Sequence, residues 1–158
     1  MKKRILILAG GYSKEREISL LTAKSVEREI IKTKKYIHKI IEPSSGFVSD
    51  LRKFKPDVVF NALHGQFGED GYVQSILENE KIKYTHSGVL SSFMAMDKEI
   101  SKKIFINKNI LTPKYFKYNF KENYKNNILK KVRKKLGFPV VVKPLNEGSS
   151  VNVFICKQ

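Results

Sequence analysis

A short apolar run that ends in two glycines limits the fold of this sequence more than any other segment. Residues Arg4 to Ala9 are nearly all apolar, and Gly10-Gly11 follows them directly. A strand of a parallel sheet has this pattern because helices cover both of its faces. The following segment, Glu15 to Ile31, is predicted to be a helix that Ser13 caps at its start. Its apolar residues recur at helical spacing: Ile18, Leu21, Val26 and Ile30.

Strand and helix patterns continue to alternate as far as residue 85. Further strands are predicted at 36–41, 57–63 and 82–85, and further helices at 47–54 and 71–80. Elements of these lengths in alternation predict a parallel sheet with helices on both faces. The first part of the chain is therefore expected to be an α/β domain.

The pattern changes after Ser87-Gly88, and a domain boundary is expected between residues 88 and 97. The segments predicted beyond it are a helix at 97–107, a short strand at 115–118, a basic amphipathic helix at 121–136, and strands at 138–143 and 151–156. A polar turn at 144–150 joins the last two strands into a hairpin. Two strands rarely hold together alone, so we expect this second domain to be incomplete and its hairpin to be less protected.

The chain carries a net charge of +16, with 31 lysines and arginines against 15 aspartates and glutamates. Such a charge can indicate nucleic-acid binding, but the basic residues are scattered and accompany no RNA- or DNA-binding motif. We therefore expect a solvated basic surface that attracts anionic ligands, and no nucleic-acid partner. A nucleic-acid-binding module remains a competing hypothesis.

No segment has the roughly 18 consecutive apolar residues of a membrane span, and the N-terminal apolar run is too short for a signal peptide. We expect a cytoplasmic protein with no membrane partner. The single cysteine, Cys156, can form no internal disulfide and no cysteine metal pair, so we expect it to pack in a strand.

Two candidate sites follow predicted strands of the first domain, where ligands of parallel sheets bind. In the first, Glu15 lies at the start of a helix, where the helix dipole stabilises a carboxylate; it can also accept a substrate ammonium. In the second, His64 precedes a glycine-rich turn and can donate a hydrogen bond or a proton to an anion. Glu69 and Asp70 are expected to order that turn rather than to bind metal.

Two further candidate sites carry lysines. Lys98 lies near the start of a predicted helix and can contact phosphate, although most such lysines are plain surface residues. Lys143 ends an apolar strand, and Gly148, Ser149 and Ser150 in the turn after it can offer N–H groups and hydroxyls to an anion. An ordinary hairpin turn is the alternative. Met94 and Met96 are expected to lie in the core.

Four patterns spread over nearly the whole chain carry a family resemblance. They are GG-x-S-x-E-x-E-I-S at 10–19, HG-x-x-GEDG at 64–71, SGVL with AMDK at 87–98, and VVKP-x-x-EGSSV at 141–151. In this order they resemble the D-alanine–D-alanine ligases of the ATP-grasp superfamily. The resemblance implies a Rossmann-like, pre-ATP-grasp domain with a parallel sheet at 1–93, and the start of an ATP-grasp domain, its first subdomain only, at 94–158.

The resemblance also implies a reaction and a substrate site. The family uses ATP and Mg²⁺ to phosphorylate the carboxylate of one D-alanine, and the amine of a second D-alanine then attacks the acyl phosphate. By motif position, Glu15 would hold the ammonium of the first D-alanine, and Ile18 would shape that pocket. His64 would lie near the acyl phosphate, and Ser149 would orient Glu15 and help to relay a proton from the second amine.

ATP would be bound, on the same resemblance, by the lysine segments. Lys98 and Lys143 would contact the phosphates, and Gly148, Ser149 and Ser150 would form the loop over them. The Mg²⁺ ligands, the adenine-binding segment, the tyrosine partner of Ser149 and the transition-state arginine belong to later parts of the family pattern. These 158 residues contain none of them, so no metal ligand is assigned here.

The chain departs from the family pattern at two positions, because His86 and Asn152 stand where glycine is usual. We expect a truncated ligase of peptidoglycan-precursor synthesis that is inactive alone, and the resemblance implies a homodimer for the full-length family. The alternative is a non-catalytic protein that keeps the N-terminal fold and binds a small ligand or dimerises.

Overall fold

The structure, a computed structural model, describes residues 2–119, 128–148 and 150–158. The chain divides into two units, one up to Met96 and one from Asp97 onwards. This division falls inside the 88–97 stretch in which the sequence pattern changes. Each unit is built from its own elements.

The first unit contains a four-stranded sheet in which every strand runs parallel to its neighbours. Its strands are β1 (Arg4–Leu8), β2 (Ile37–Ile41), β3 (Val58–Asn61) and β4 (Lys83–Tyr84). They lie in the order β2-β1-β3-β4, so β1 and β3 are central. The predicted parallel α/β sheet is confirmed, and the observed strands are shorter than their predicted ranges.

Three helices connect the strands of this sheet, and a fourth follows its last strand. They are α1 (Arg16–Thr33), α2 (Phe47–Phe54), α3 (Tyr72–Asn79) and α4 (Val89–Met96). The sequence analysis assigned no element to α4. It also placed Met94 and Met96 in the core, which was wrong, because both are only partly buried and Ser92 is the buried residue of this helix.

The apolar run in β1 is explained by burial on both of its faces. Successive side chains of a strand point to opposite faces, so Leu6 and Leu8 enter one core and Ile7 and Ala9 enter the other. All four are 0% exposed. The first core also holds residues of α2 and α3, and Ala23 of α1 belongs to the second.

Helix α1 differs from its prediction in its first turns. Ser13 is not the N-cap residue; Glu15 is, and the Ser13 hydroxyl instead accepts a bond from the Glu15 N–H at 3.1 Å. Ile18 and Leu21 were expected on the apolar face but are 49% and 60% exposed. The smaller Ser19 and Ala23 are buried instead: Ser19 accepts from the Gly10 N–H at 2.8 Å, and Ala23 packs with Ile7 and Ala9.

The second unit contains two helices and one antiparallel strand pair among its described residues. These are α5 (Lys98–Asn107), α6 (Ile128–Lys135), β5 (Val140–Val142) and β6 (Phe154–Cys156). Asp97 caps α5 by accepting from the N–H groups of Glu99 and Ile100. No strand forms at 115–118, which corrects that prediction. The predicted 121–136 helix lies partly outside the described residues.

The hairpin of the second unit presents apolar side chains to solvent, as expected for a strand pair with an open face. Val141 is 54% exposed and Ile155 is 71% exposed. Cys156 is a free cysteine that is partly buried in β6, in keeping with a packing role. Within the three described ranges, no helix is both long enough and apolar enough to span a membrane.

Truncation of a central leucine tests the double burial of β1. Leu8→Ala should lower the free energy of unfolding by about 2–5 kcal/mol, because it leaves a cavity in a site with no exposed surface. Leu21→Ala is the matched control and should change the free energy by less than about 1 kcal/mol, since Leu21 is 60% exposed. Urea unfolding of both variants measures the difference. Equal losses would contradict the assigned core.

Candidate functional site

The loops that follow β1 and β3 meet at the carboxyl edge of the sheet. These strands are hydrogen-bonded neighbours, so the segments after Leu8 and Asn61 emerge side by side. The Ser13 hydroxyl in the first loop donates to the carbonyl oxygen of His64 in the second at 2.6 Å. The edge of a parallel sheet where ligands bind is thus formed by two loops that are bonded to each other.

Glu15 brings a buried carboxylate to this edge. The residue is 6% exposed and precedes the first turn of α1. Its side chain makes no capping bond, and its carboxylate has no hydrogen-bond or ion-pair partner among the described residues. The fully buried side-chain atom without a partner in the described residues is Oε1 of Gln74, so the Glu15 oxygens reach solvent at this edge. Burial of an unpaired carboxylate is costly, and partial stabilisation by the helix dipole does not replace a cationic partner.

Gly65 provides the space that the Glu15 carboxylate occupies. A Cβ atom at Gly65 would lie 2.6 Å from Oε2 of Glu15, closer than side-chain atoms approach. The φ angle of Gly65 is also +69°, which L residues rarely adopt. The positive φ therefore favours glycine after His64, and a larger residue would also have to displace the end of the Glu15 side chain.

The His64 ring lies against the first turns of α1. Its Nε2 atom is 3.1 Å from the Thr22 hydroxyl, and that hydroxyl is 3.0 Å from the carbonyl oxygen of Ile18. The His64 side chain is 28% exposed. Glu15, Ile18 and His64, which the sequence analysis took from two separate motifs, therefore lie in one region of the first unit.

The glycine-rich turn after His64 is held by its own carboxylates. Glu69 accepts a bond from the Gly65 N–H at 2.7 Å, and Asp70 accepts from Phe67 at 2.8 Å and from Tyr72 at 3.1 Å. The expectation that Glu69 and Asp70 order this turn agrees with these contacts. Both carboxylates are thereby engaged with backbone groups.

An ion pair that the sequence analysis did not predict holds the loop that follows β1. Arg16 donates to both carboxylate oxygens of Glu42, at 2.8 and 2.9 Å, and Glu42 also accepts from the Gly11 N–H at 3.2 Å. The hydrogen bond from Arg16 lowers the pKa of Glu42. Glu42 directly follows β2, so the rule that predicted Glu15 and His64 could also have indicated it. The Gly10 N–H is held by Ser19 at 2.8 Å.

In the second unit, Lys98 holds the turn that follows β5. Its ammonium donates to the carbonyl oxygens of Leu145, at 3.2 Å, and Glu147. Its backbone N–H also donates to the Leu145 carbonyl at 3.2 Å. The first residue of α5 is thus fastened to a polar turn by both its main chain and its side chain.

Three lysines, Lys98, Lys102 and Lys143, lie close together near this turn, and the charge of Lys143 affects the other two. Burial lowers the pKa of Lys98, and the nearby ammonium of Lys143 lowers it further. The pKa of Lys102 is lowered by the same two causes, although Lys102 also donates to Thr112 and Pro113 at 2.7 and 2.8 Å. The sequence analysis did not predict a role for Lys102. Its position four residues after Lys98, on the same face of the helix, could have indicated one.

The rest of the predicted phosphate loop is described only in part. Gly148 accepts at its carbonyl oxygen from the Val151 N–H at 3.0 Å, and Ser150 is exposed with a φ of +62°. Ser149, predicted to be catalytic and to bind phosphate, lies outside the described residues. The described residues contain no group of three or more His, Cys, Asp or Glu side chains that could hold a metal ion.

The two departures from the family pattern occur where the backbone favours glycine. His86 has a φ of +82° and Asn152 a φ of +54°. Asparagine and histidine tolerate positive φ better than most residues. Asn152 also donates to the Glu147 carboxylate at 3.0 Å, across the turn that Lys98 holds. The side chain that replaces glycine here therefore adds a contact within the loop.

Comparison with known proteins agrees with the order of these motifs. The family model for the D-ala D-ala ligase N-terminus matches residues 44–87, and the model for the C-terminus matches residues 104–158. A D-alanine–D-alanine ligase of Pelagibacter ubique is 64% identical over 156 residues, which are 99% of this chain and 51% of that protein. The chain belongs to the D-alanine–D-alanine ligase family. It spans about half the length of the curated relatives it matches.

Solved structures of ligases in this family share the fold. A D-alanine–D-alanine ligase from Bacillus anthracis is 36% identical with a TM-score of 0.79, over 99% of this chain and 50% of that one. The same enzyme complexed with ATP gives a TM-score of 0.76 at 35% identity, over the same shares. The Helicobacter pylori ligase, at 24% identity, a TM-score of 0.77 and coverage of 99% and 56%, supports the fold alone. The predicted α/β, ATP-grasp-type fold class is confirmed.

The lysine cluster predicts a particular pH dependence of polyphosphate binding. A bound anion favours the protonated form of Lys98, whose pKa in the free chain lies below its usual value. Tripolyphosphate affinity should therefore fall by roughly tenfold as Lys98 deprotonates, at lower pH than for an ordinary lysine. Calorimetric titrations from about pH 7 to about pH 10 measure this.

Arginine substitution provides the control for that titration. Lys98→Arg should make the fall smaller and move it to higher pH, because arginine stays protonated throughout the range while the neighbouring lysines still titrate. Lys103→Arg, in the same helix but paired with Glu99 at 2.9 Å, should leave the fall unchanged. An affinity that does not change with pH in the unsubstituted chain would contradict the assignment of Lys98 to the anion site.

Proposed function

We propose that this chain carries the substrate-binding and phosphate-binding parts of an ATP-dependent D-alanine–D-alanine ligase. The observation that carries the proposal is the buried, unpartnered carboxylate of Glu15, which lies against Gly65 at the carboxyl edge of the sheet. An amino acid is a ligand whose ammonium would complete this site. The family to which the chain belongs joins two amino acids of this kind, as its name states.

Glu15 would bind the ammonium of the first D-alanine. A hydrogen bond between charged groups contributes about 1.5–3 kcal/mol when it is protected from water, and Glu15 is only 6% exposed. The Arg16–Glu42 pair and the glycines beside it would keep the loop in place while the ligand binds. Ile18, half exposed on the first turn of α1, would form a wall of the same pocket.

His64 would act on the reacting carboxylate of the same substrate. Its ring lies on the neighbouring loop, one residue before the glycine that faces Glu15. In this proposal it contacts the acyl phosphate, and Ser149 orients Glu15 and relays a proton from the second amine. The contribution of Ser149 rests on motif position, because that residue lies outside the described ranges.

Lys98 and Lys143 would bind the phosphates of ATP. Burial, and then repulsion from the Lys143 ammonium, lower the pKa of Lys98, and an anion between the two lysines would relieve that repulsion. Gly148, Ser149 and Ser150 would cover the phosphates with backbone N–H groups and hydroxyls. Mg²⁺ would neutralise phosphate charge during the transfer, and no residue described here is assigned to it.

The wider role proposed for the protein follows from its family. Dipeptide formation of this kind would serve peptidoglycan-precursor synthesis in the cytoplasm, and the complete enzyme would act as a homodimer. The 158-residue chain alone would not complete the reaction, because it spans about half the length of its relatives. Phosphoryl transfer depends on positioning and charge neutralisation from both sides of the phosphates.

Substitution of Glu15 tests the substrate site. Glu15→Gln should weaken D-alanine binding by about tenfold or more, because the ammonium loses its charged partner. Glu17→Gln is the matched control and should bind normally, since that side chain is 81% exposed on the same turn. Titrations of ¹⁵N-labelled chain with D-alanine measure both variants. Equal affinities in all three proteins would remove Glu15 from the site.

Incubation of the purified 158-residue chain with ATP, Mg²⁺ and D-alanine tests whether it acts alone. We expect no D-alanine-dependent phosphate release and no dipeptide, because removal of a metal clamp and of transition-state donors costs several orders of magnitude in rate. Glu15→Gln, assayed in parallel, reports release by contaminants. Turnover that depends on D-alanine and disappears in Glu15→Gln would show that the chain contains a complete catalytic set.

A further inference from the structure

The hydroxyl of Thr22 lies between a helix carbonyl and the ring of His64. Its Oγ1 atom is 3.0 Å from the carbonyl oxygen of Ile18 and 3.1 Å from Nε2 of His64. Both distances are those of hydrogen bonds. Thr22 follows Ile18 by one turn of α1 and is partly buried, so its hydroxyl is held close to the ring.

The two contacts determine where the hydrogen atoms lie. A threonine hydroxyl has one hydrogen and a carbonyl oxygen can only accept, so if both contacts are hydrogen bonds, that hydrogen is donated to Ile18. The hydroxyl then has only lone pairs to offer to His64, and Nε2 must be the donor. A neutral imidazole carries a single N–H, so Nδ1 of the neutral ring is unprotonated.

The opposite side of the ring leaves Nδ1 available. Its nearest carboxylate oxygen, Oε1 of Glu69, is 3.9 Å away, which is beyond hydrogen-bond distance. The other oxygen of that carboxylate is held by the Gly65 N–H at 2.7 Å, so Glu69 is engaged with the loop. The His64 side chain is 28% exposed, and a small molecule can therefore reach the ring from solvent.

We propose that Thr22 is a positioning residue that holds neutral His64 in the Nε2–H tautomer and makes Nδ1 the atom with which His64 meets a ligand. In this state His64 accepts a hydrogen bond or a proton at Nδ1, and it donates from that atom only after a proton has been taken up. The tautomer follows from the contacts alone, whereas D-alanine as the ligand rests on the proposed function.

Nitrogen NMR of the full chain with ¹⁵N-labelled histidine tests the tautomer. The chain has three histidines, and His64→Gln identifies the signals of His64 by their loss. At about pH 8.5, where histidines are ordinarily neutral, Nε2 should be protonated and Nδ1 should not. Thr22→Val, which removes the hydroxyl but keeps the shape, should raise the exchange rate of the Nε2–H proton on the order of fivefold. Thr22→Ser should restore it.

Ser25 offers a matched control on the same helix. Its hydroxyl donates to the carbonyl oxygen of Leu21 at 3.1 Å, the same type of bond one turn away. Ser25→Ala should leave the His64 signals unchanged. A protonated Nδ1 in the unsubstituted chain, or an exchange rate that Thr22→Val does not alter, would overturn the proposal. The spectrum of the unsubstituted chain decides the tautomer even if Thr22→Val fails to fold.

D-alanine added to the same sample tests the ligand. The Nδ1 signal should move more than the Nε2 signal, and the movement should be smaller in Thr22→Val than in Thr22→Ser. D-alanine that binds without moving Nδ1 would overturn the role given to that atom. D-alanine that does not bind at all would count against the proposed function, and the tautomer result would stand.

Discussion

Burial of β1 on both faces determines the position of every functional loop in the first unit. A strand that is covered by helices on each side must lie inside a parallel sheet, and its register with β2 and β3 is set by two cores at once. The segments that leave these three strands therefore emerge side by side. They bring Glu15, Glu42 and His64 to one edge of the sheet.

Glu15 places a carboxylate with no partner among the described residues at that edge of the sheet. The loops around it satisfy their own polar groups, because Ser13 bonds the His64 carbonyl, Glu69 bonds Gly65, and Glu42 bonds Arg16. The Glu15 carboxylate is buried among them with no such partner in the described chain. This arrangement supports the proposal that a cationic ligand binds the Glu15 carboxylate.

The spacing of apolar residues predicted the sheet, α2 and the range of α5 closely, because apolar residues recur in these segments at the period of a strand or a helix. The prediction failed where an apolar residue is exposed or a polar residue is buried. Ile18 is apolar yet half exposed, and the buried residue of α4, a helix that was not predicted, is Ser92 rather than a methionine. Motif resemblance predicted Glu15, His64 and Lys98 as site residues, and these stay predictions. It could not indicate Thr22, whose proposed role depends on a contact between distant segments.

The lysines of the second unit are held close together although burial and mutual repulsion disfavour their charged forms. Lys98 is partly buried beside Lys143, and the lowered pKa of Lys98 records that this arrangement opposes its charge. Two backbone carbonyls of the following turn accept from its ammonium and hold it there. Because these dipoles position Lys98 in the free chain, an anion bound at the proposed site would gain the attraction of both ammoniums without first having to order Lys98. In that proposal, relief of the repulsion between the two lysines would contribute to phosphate affinity.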